Sequence, residues 1–190
     1  MRQKVKKWLR RLVGEAQGKA PSDFMRVAYS TPRQVVLLTA RRENVDNVWP
    51  VDWHIPLSEE PELYGLSASR NGFGTAMIKT AGAFVVNFVP ASWEEIIFYC
   101  GTTSGQEVDK FMQAGLVKEE AQTIDAPRLA EALGWLECRV EQCHEVGDHI
   151  FFVGRVTAKA FSALESQNPR QSTARLYHLY RGVAPPSDSE

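Results

Sequence analysis

Residues 47–87, NVWPVDWHIPLSEEPELYGLSASRNGFGTAMIKTAGAFVVN, decide how this chain of 190 residues is read. Two compact apolar runs, 63–67 and 83–89, read as strands bounded by turn residues. Between them, 75–81 has the spacing of a short helix. The remainder mixes Ser and Thr hydroxyls, permissive glycines, prolines and the indoles of Trp49 and Trp53. That mixture suits a ligand with a phosphate at one end and a flat ring at the other. Phosphate needs unpaired backbone N–H groups, hydroxyls and a cation, whereas a ring needs apolar walls and a few fixed polar atoms at its edge.

Working outward, Gln34-Val35-Val36-Leu37-Leu38-Thr39 is a β-branched and apolar run that stops at the polar Arg41-Arg42-Glu43-Asn44, as a buried strand closed by a turn should. Residues 135–142 and 149–160 read as further strands by the same criteria. A helix is predicted over 93–99, with Ser92 as its cap and Glu94 and Glu95 complementing its positive end, and a shorter one over 108–114. Several strands with few helices and no βαβ alternation predict a mainly β fold, a barrel rather than a doubly wound sheet. The chain shows no internal repeat.

Composition agrees with one soluble domain: 44% of positions are hydrophobic and 24% charged, enough to bury a substantial core. A formal net charge of -1 provides no basic field for nucleic acid. Cys100, Cys138 and Cys143 are odd in number and form no C-x-x-C pair, which argues against disulfides, an iron–sulfur site or structural zinc and favours a reducing cytoplasm. The histidines show no metal-ligand spacing, so no metal is expected. Residues 1–20 place Val5, Trp8, Leu9, Leu12 and Val13 at helical spacing against a Lys- and Arg-rich face, an extension expected to dock on its own domain or a partner subunit. Neither export nor a membrane span is expected. The domain is expected over 21–182, and residues 183–190 form an acidic tail.

A series of short phrases then carries a resemblance. Asn47, Trp53, Pro56, Ser58 and Pro61 precede Ile78-Lys79, Gly82 and Phe84-Val85-Val86-Asn87. Cys100-Gly101-Thr102-Thr103-Ser104-Gly105, Val108-Asp109-Lys110-Phe111, Leu136-Glu137-Cys138 and Gly147-Asp148-His149 follow in order. Together these phrases resemble the flavin reductase-like, FMN-binding split-barrel family over roughly residues 30–182. The resemblance implies a six-stranded split β-barrel, a homodimer, and FMN in a groove near the subunit interface. A small barrel fills its own interior, so a ligand this long must lie outside it.

The residues carry these expectations unevenly. Asn47 before an extended loop is an ordinary turn residue by itself, and the resemblance instead sets its amide against the polar edge of the flavin ring. Two roles are open to Trp53, packing beside the ring or closing the loop onto the barrel. Ser67, Ser69, Arg70, Asn71 and Thr75 surround a glycine-containing turn before a helix, where hydroxyls, a guanidinium and helix amides can converge on phosphate; helix capping is the plain alternative. The family usually carries Arg and Thr where this chain has Gly72 and Gly74. Asn87 belongs to the family's strand phrase and is taken with the cofactor-binding set. Thr102 and Ser104 lie in a small-residue loop suited to the ribityl chain or phosphate. Lys110 either supplies charge near the cofactor or is solvated, and His149 either caps a turn through Asp148 or faces the flavin or substrate.

No G-x-S-x-G elbow is found, and the adjacent carboxylates Glu59-Glu60 and Glu94-Glu95 do not form an acid–base dyad. Hydrolysis therefore has no support. The resemblance implies an FMN-dependent oxidoreductase that moves hydride from NADH or NADPH to a flavin, a metal complex or a protein acceptor. Few protein groups are required, because the flavin itself carries the hydride chemistry. The alternatives are an FMN-holding electron carrier reduced by a partner protein, and a split barrel that has lost flavin.

Overall fold

A computed structural model describes residues 32–161, together with the backbone of 177–179 and 182–184. The expected N-terminal helix lies outside these residues, as does the acidic tail apart from the backbone of 183 and 184. The strands are β1 (Arg33–Gln34), β2 (Val36–Arg42), β3 (Val45–Val51), β4 (His54–Glu59), β5 (Glu62–Ser69), β6 (Ala83–Phe88), β7 (Lys118–Glu120), β8 (Pro127–Leu129), β9 (Gly134–Val146), β10 (His149–Phe161), β11 (Tyr177–Leu179) and β12 (Gly182–Ala184). The helices are α1 (Phe73–Ala81), α2 (Glu94–Thr102) and α3 (Lys110–Ala114).

Seven strands form one antiparallel sheet in the order β3-β2-β6-β9-β10-β5-β4. Its two outer strands, β3 and β4, are consecutive in sequence and separated only by Asp52 and Trp53. β3 pairs with β2, Val51 opposite Val36, while β4 pairs with β5, His54 opposite Leu66. The Ser67 amide donates to the Trp53 carbonyl at 2.8 Å and extends that second pairing into the link. Residues 45–59 are thus one bent stave that joins both sheet edges, closing the sheet into a barrel of six staves. The barrel is split beside the bend, because β3 has no second strand partner and residues 68–69 of β5 pair only with β10.

Alternation builds the core. Even-numbered residues of β2, β5, β6, β9 and β10, among them Leu38, Leu66, Phe84, Cys138 and Phe152, fill the barrel interior. Val35, Leu37 and Val48 face outward and pack on Ile97 and Cys100 of α2 and Phe111 of α3. The interior holds its own side chains, so a ligand site has to form outside it.

The prolines explain why sequence patterning misses β3 and β4. Pro50 and Pro56 interrupt a strand pattern, yet both lie on staves with a strand on one flank only, where a missing N–H is tolerated. Glu43 and Asn44 both adopt positive φ, 53° and 65°, in the two-residue turn that joins β2 to β3. The expected strand over 34–39 is interrupted at Val35 and runs on to Arg42. Ser92 does not cap α2; it lies in a 3-10 turn (Ala91–Trp93), and Trp93 occupies the N-cap with no side-chain hydrogen bond. Asp109 does cap α3, accepting from the Met112 amide at 3.1 Å.

Candidate functional site

The split in the barrel opens into a cleft of about 380 Å³. Its walls come from β3 and the bend, the end of β5, the start of α1 and the loop between α2 and α3, with Lys110 and His149 completing them. Of the residues singled out in the sequence, Asn47, Trp53, Ser67, Ser69, Thr75, Ser104, Lys110 and His149 line this cleft.

Asn47 is 3% exposed, and its side-chain Oδ1 has no hydrogen-bond partner. An orphaned buried acceptor costs about 1–3 kcal/mol, so its native complement is a donor from elsewhere. A Cβ added at Gly105 would lie 2.1 Å from that oxygen and 3.3 Å from the Lys110 Cε, which places the amide and the lysine stem side by side. Lys110 is only 4% exposed, and its Nζ donates to the Cys100 carbonyl at 2.9 Å. Burial holds its pKa below the ordinary lysine value, partly opposed by Cys100. The same burial pushes the Cys100 thiol up, so this cysteine is a neutral wall rather than a nucleophile.

The cleft has aromatic surfaces in Trp49, Trp53 and Phe73. Trp49 presses on α1: a Cβ at Gly74 would meet its indole at 2.4–2.6 Å. Trp53 stacks on His149 with ring centroids 4.7 Å apart and an interplanar angle of 22°. The Arg33 guanidinium lies 5.6 Å from the Trp53 ring and also binds the Asp52 carboxylate at 3.1 Å. His149 Nδ1 lies 2.7 Å from Asp148 Oδ1; with the proton donated there, a neutral ring leaves Nε2 as an acceptor.

Four expected residues lie elsewhere. Arg70 donates to the Gly147 carbonyl at 2.7 Å and pairs with Glu145 at 3.4 Å, on the turn between β9 and β10. Asn71 is exposed and does not line the cleft. Asn87 is fully buried inside the fold, donating to the Leu37 carbonyl and Thr39 hydroxyl and accepting from the Leu129 amide, so its side chain is a strand-to-loop tie. Thr102 donates back to the Phe98 carbonyl at 2.8 Å and lines a neighbouring apolar hollow with Val35, Ile97 and Phe98. Sequence reasoning noted the Trp49 indole and the loop that holds Gly105 without giving either a place in the cleft. The alternation Asn47, Trp49, Val51, Trp53 is the pattern that could have exposed the first.

A flavin reductase like domain model matches residues 28–182. The chain belongs to the flavin reductase-like family. An uncharacterised protein of Archaeoglobus fulgidus is 32% identical over 128 residues, spanning 67% of this chain and 72% of that protein. An FMN-binding protein from Thermus thermophilus, solved with bound 1-cyclohex-2-enone, superposes with a TM-score of 0.79 at 27% identity, covering 93% of this chain and 96% of that one. An NADH-dependent flavin reductase of Pseudomonas fluorescens is 38% identical over a shorter stretch of 58 residues, 30% of this chain and 34% of that protein. The split barrel is accordingly a flavin reductase-like barrel, antiparallel and mainly β. Among the described residues of this family member, no helix is long and apolar enough to cross a membrane.

Proposed function

We propose that the chain binds FMN in this cleft and passes hydride from NADH or NADPH to a flavin, a metal complex or a protein acceptor, acting as a homodimer. The observation that carries this reading is the buried, unpartnered Asn47 amide oxygen beside the sheltered Lys110 ammonium, in an aromatic-walled cleft of a flavin reductase-like chain. The FMN of the Thermus relative and the NADH of the Pseudomonas reductase support it.

The residues suit such a ligand. Asn47 accepts from a ring N–H, and Lys110 offsets negative charge at the ring's polar edge. Trp49 and Trp53 supply apolar walls. The opening amides of α1, to which Gly72 offers no side-chain cap, face the tail together with the Ser67 and Ser69 hydroxyls. His149, stacked on Trp53, borders the side where a second substrate approaches. The bound flavin would supply the hydride chemistry, and these side chains would position it and shield it from water.

Purified protein loaded with FMN is expected to show flavin absorbance that bleaches when NADH or NADPH is added anaerobically. A yellow protein that ignores both nicotinamides overturns hydride transfer and favours the electron-carrier alternative. A colourless protein that fails to quench added FMN overturns the flavin reading itself.

A further inference from the structure

We infer that Asp46 and Lys118 are positioning residues for the cleft: the ion pair between them holds the strand that carries Asn47 against the helix that carries Lys110, and flavin binding depends on it although neither side chain lines the site. The inference rests on the FMN reading above and concerns how the two polar ring contacts are kept together. Asn47 and Lys110 belong to different elements, β3 and α3, yet both lie against Gly105. β3 is bonded to β2 on one flank and has no other strand partner among the described residues. Its outward residue Val48 shares an apolar cluster with Phe111 of α3, a contact that is non-directional and by itself sets no register. A tie of fixed geometry has to come from elsewhere.

Asp46, the residue before Asn47, supplies it. Its side chain is 9% exposed and accepts from Arg41 Nε at 2.7 Å, from Arg41 Nη2 at 3.3 Å and from Lys118 Nζ at 2.8 Å. Burial acts to raise the Asp46 pKa, but the hydrogen bonds from Arg41 and Lys118 outweigh it, so the carboxyl is held below its ordinary value and stays charged. Arg41 is oriented in turn by Glu120 at 2.8 Å and Asp125 at 3.0 Å. The Lys118 Nζ also stands 5.0 Å from the centroid of the Phe111 ring. Phe111 is buried and directly follows Lys110 in α3. One ammonium therefore joins the chain neighbour of Asn47 to the chain neighbour of Lys110. Removing it frees β3 and α3 to shift slightly, which is enough to misplace an acceptor and a cation that must meet one edge of a ring.

The test titrates FMN into the full chain and into Lys118→Met, which keeps an aliphatic stem over Phe111 and removes the charge, and follows quenching of flavin fluorescence. The dissociation constant is expected to rise about three- to tenfold, and the visible absorbance of bound FMN to move toward that of free FMN. Because the Lys118 side chain is 39% exposed, the pair adds little to global stability, and the thermal midpoint should fall by less than about 5 °C. Once Asp46→Asn has removed the other partner, adding Lys118→Met is expected to weaken FMN by no more than about twofold further. Glu119→Gln alters the charge of β7 at a residue that pairs with Arg128, and is expected to leave FMN affinity within about twofold of the parent. An unchanged affinity and spectrum in Lys118→Met overturns the inference while FMN binding by the parent stands. Losses that add in the double variant, or an equal loss in Glu119→Gln, overturn it as well. A parent chain that fails to quench FMN overturns the FMN reading itself, and the inference falls with it.

Discussion

Gly105 shows how small a residue can govern the cleft. A methyl group there would fall 2.1 Å from Asn47 Oδ1 and 2.7 Å from its Cγ, so the amide has to rotate away. Gly105→Ala is expected to weaken FMN binding at least about tenfold by fluorescence titration while moving the thermal midpoint by less than about 5 °C. Unchanged affinity would remove Asn47 from the proposed ring contacts. A second prediction concerns His54, whose Nε2 donates to the Gln34 carbonyl at 2.9 Å and whose Nδ1 accepts from the Tyr64 hydroxyl at 2.7 Å. Burial lowers its folded pKa below the ordinary 6.5, with the Gln34 carbonyl and Asp52 opposing. The unfolded chain therefore binds this proton first, and the stability conferred by neutral His54 is lost as pH falls below 6.5 through the folded value. Urea midpoints should decline over that window and decline less in His54→Asn. Residue types at the cleft were legible because Asn47, Lys110 and His149 sit in phrases of fixed order. The outward turn of Arg70 was not, because it depends on Gly147 and Glu145, more than 70 residues away.

At the scale of elements, the bent stave formed by β3 and β4 makes the site. It leaves β3 with one strand neighbour, and α1 leans its first turn into the gap against Trp49. Gly74→Ala has to displace that indole from a contact of 2.4–2.6 Å. The expected cost is about 1–3 kcal/mol, read as a lower denaturant midpoint with unchanged slope. An unaltered midpoint would mean that Trp49 is not held by α1. Strands β2, β5, β6, β9 and β10 are visible in sequence because their apolar residues alternate or run together. β3 and β4 escape notice because Pro50 and Pro56 break the pattern, and only the barrel's closure shows that an open flank tolerates them.

For the whole molecule, the proposed homodimer has a surface to use. Phe98 is 69% exposed beside the apolar hollow that adjoins the cleft through Pro50, Val51, Asp52 and Gly101. Gel filtration at micromolar concentration is expected to report twice the chain mass, and Phe98→Glu to return the monomer and loosen FMN. A monomeric parent protein would count against the dimer. The mainly β class and the family were legible in the chain, since apolar alternation and the order of short motifs are local properties. Only the tertiary structure decided which side chains meet. Asn87 is spent on Leu37, Thr39 and Leu129, 42–50 residues distant, while Trp49 and Gly105 enter the cleft through contacts with α1 and β3. Such contacts depend on how the barrel closes, and no local pattern of residues encodes that closure.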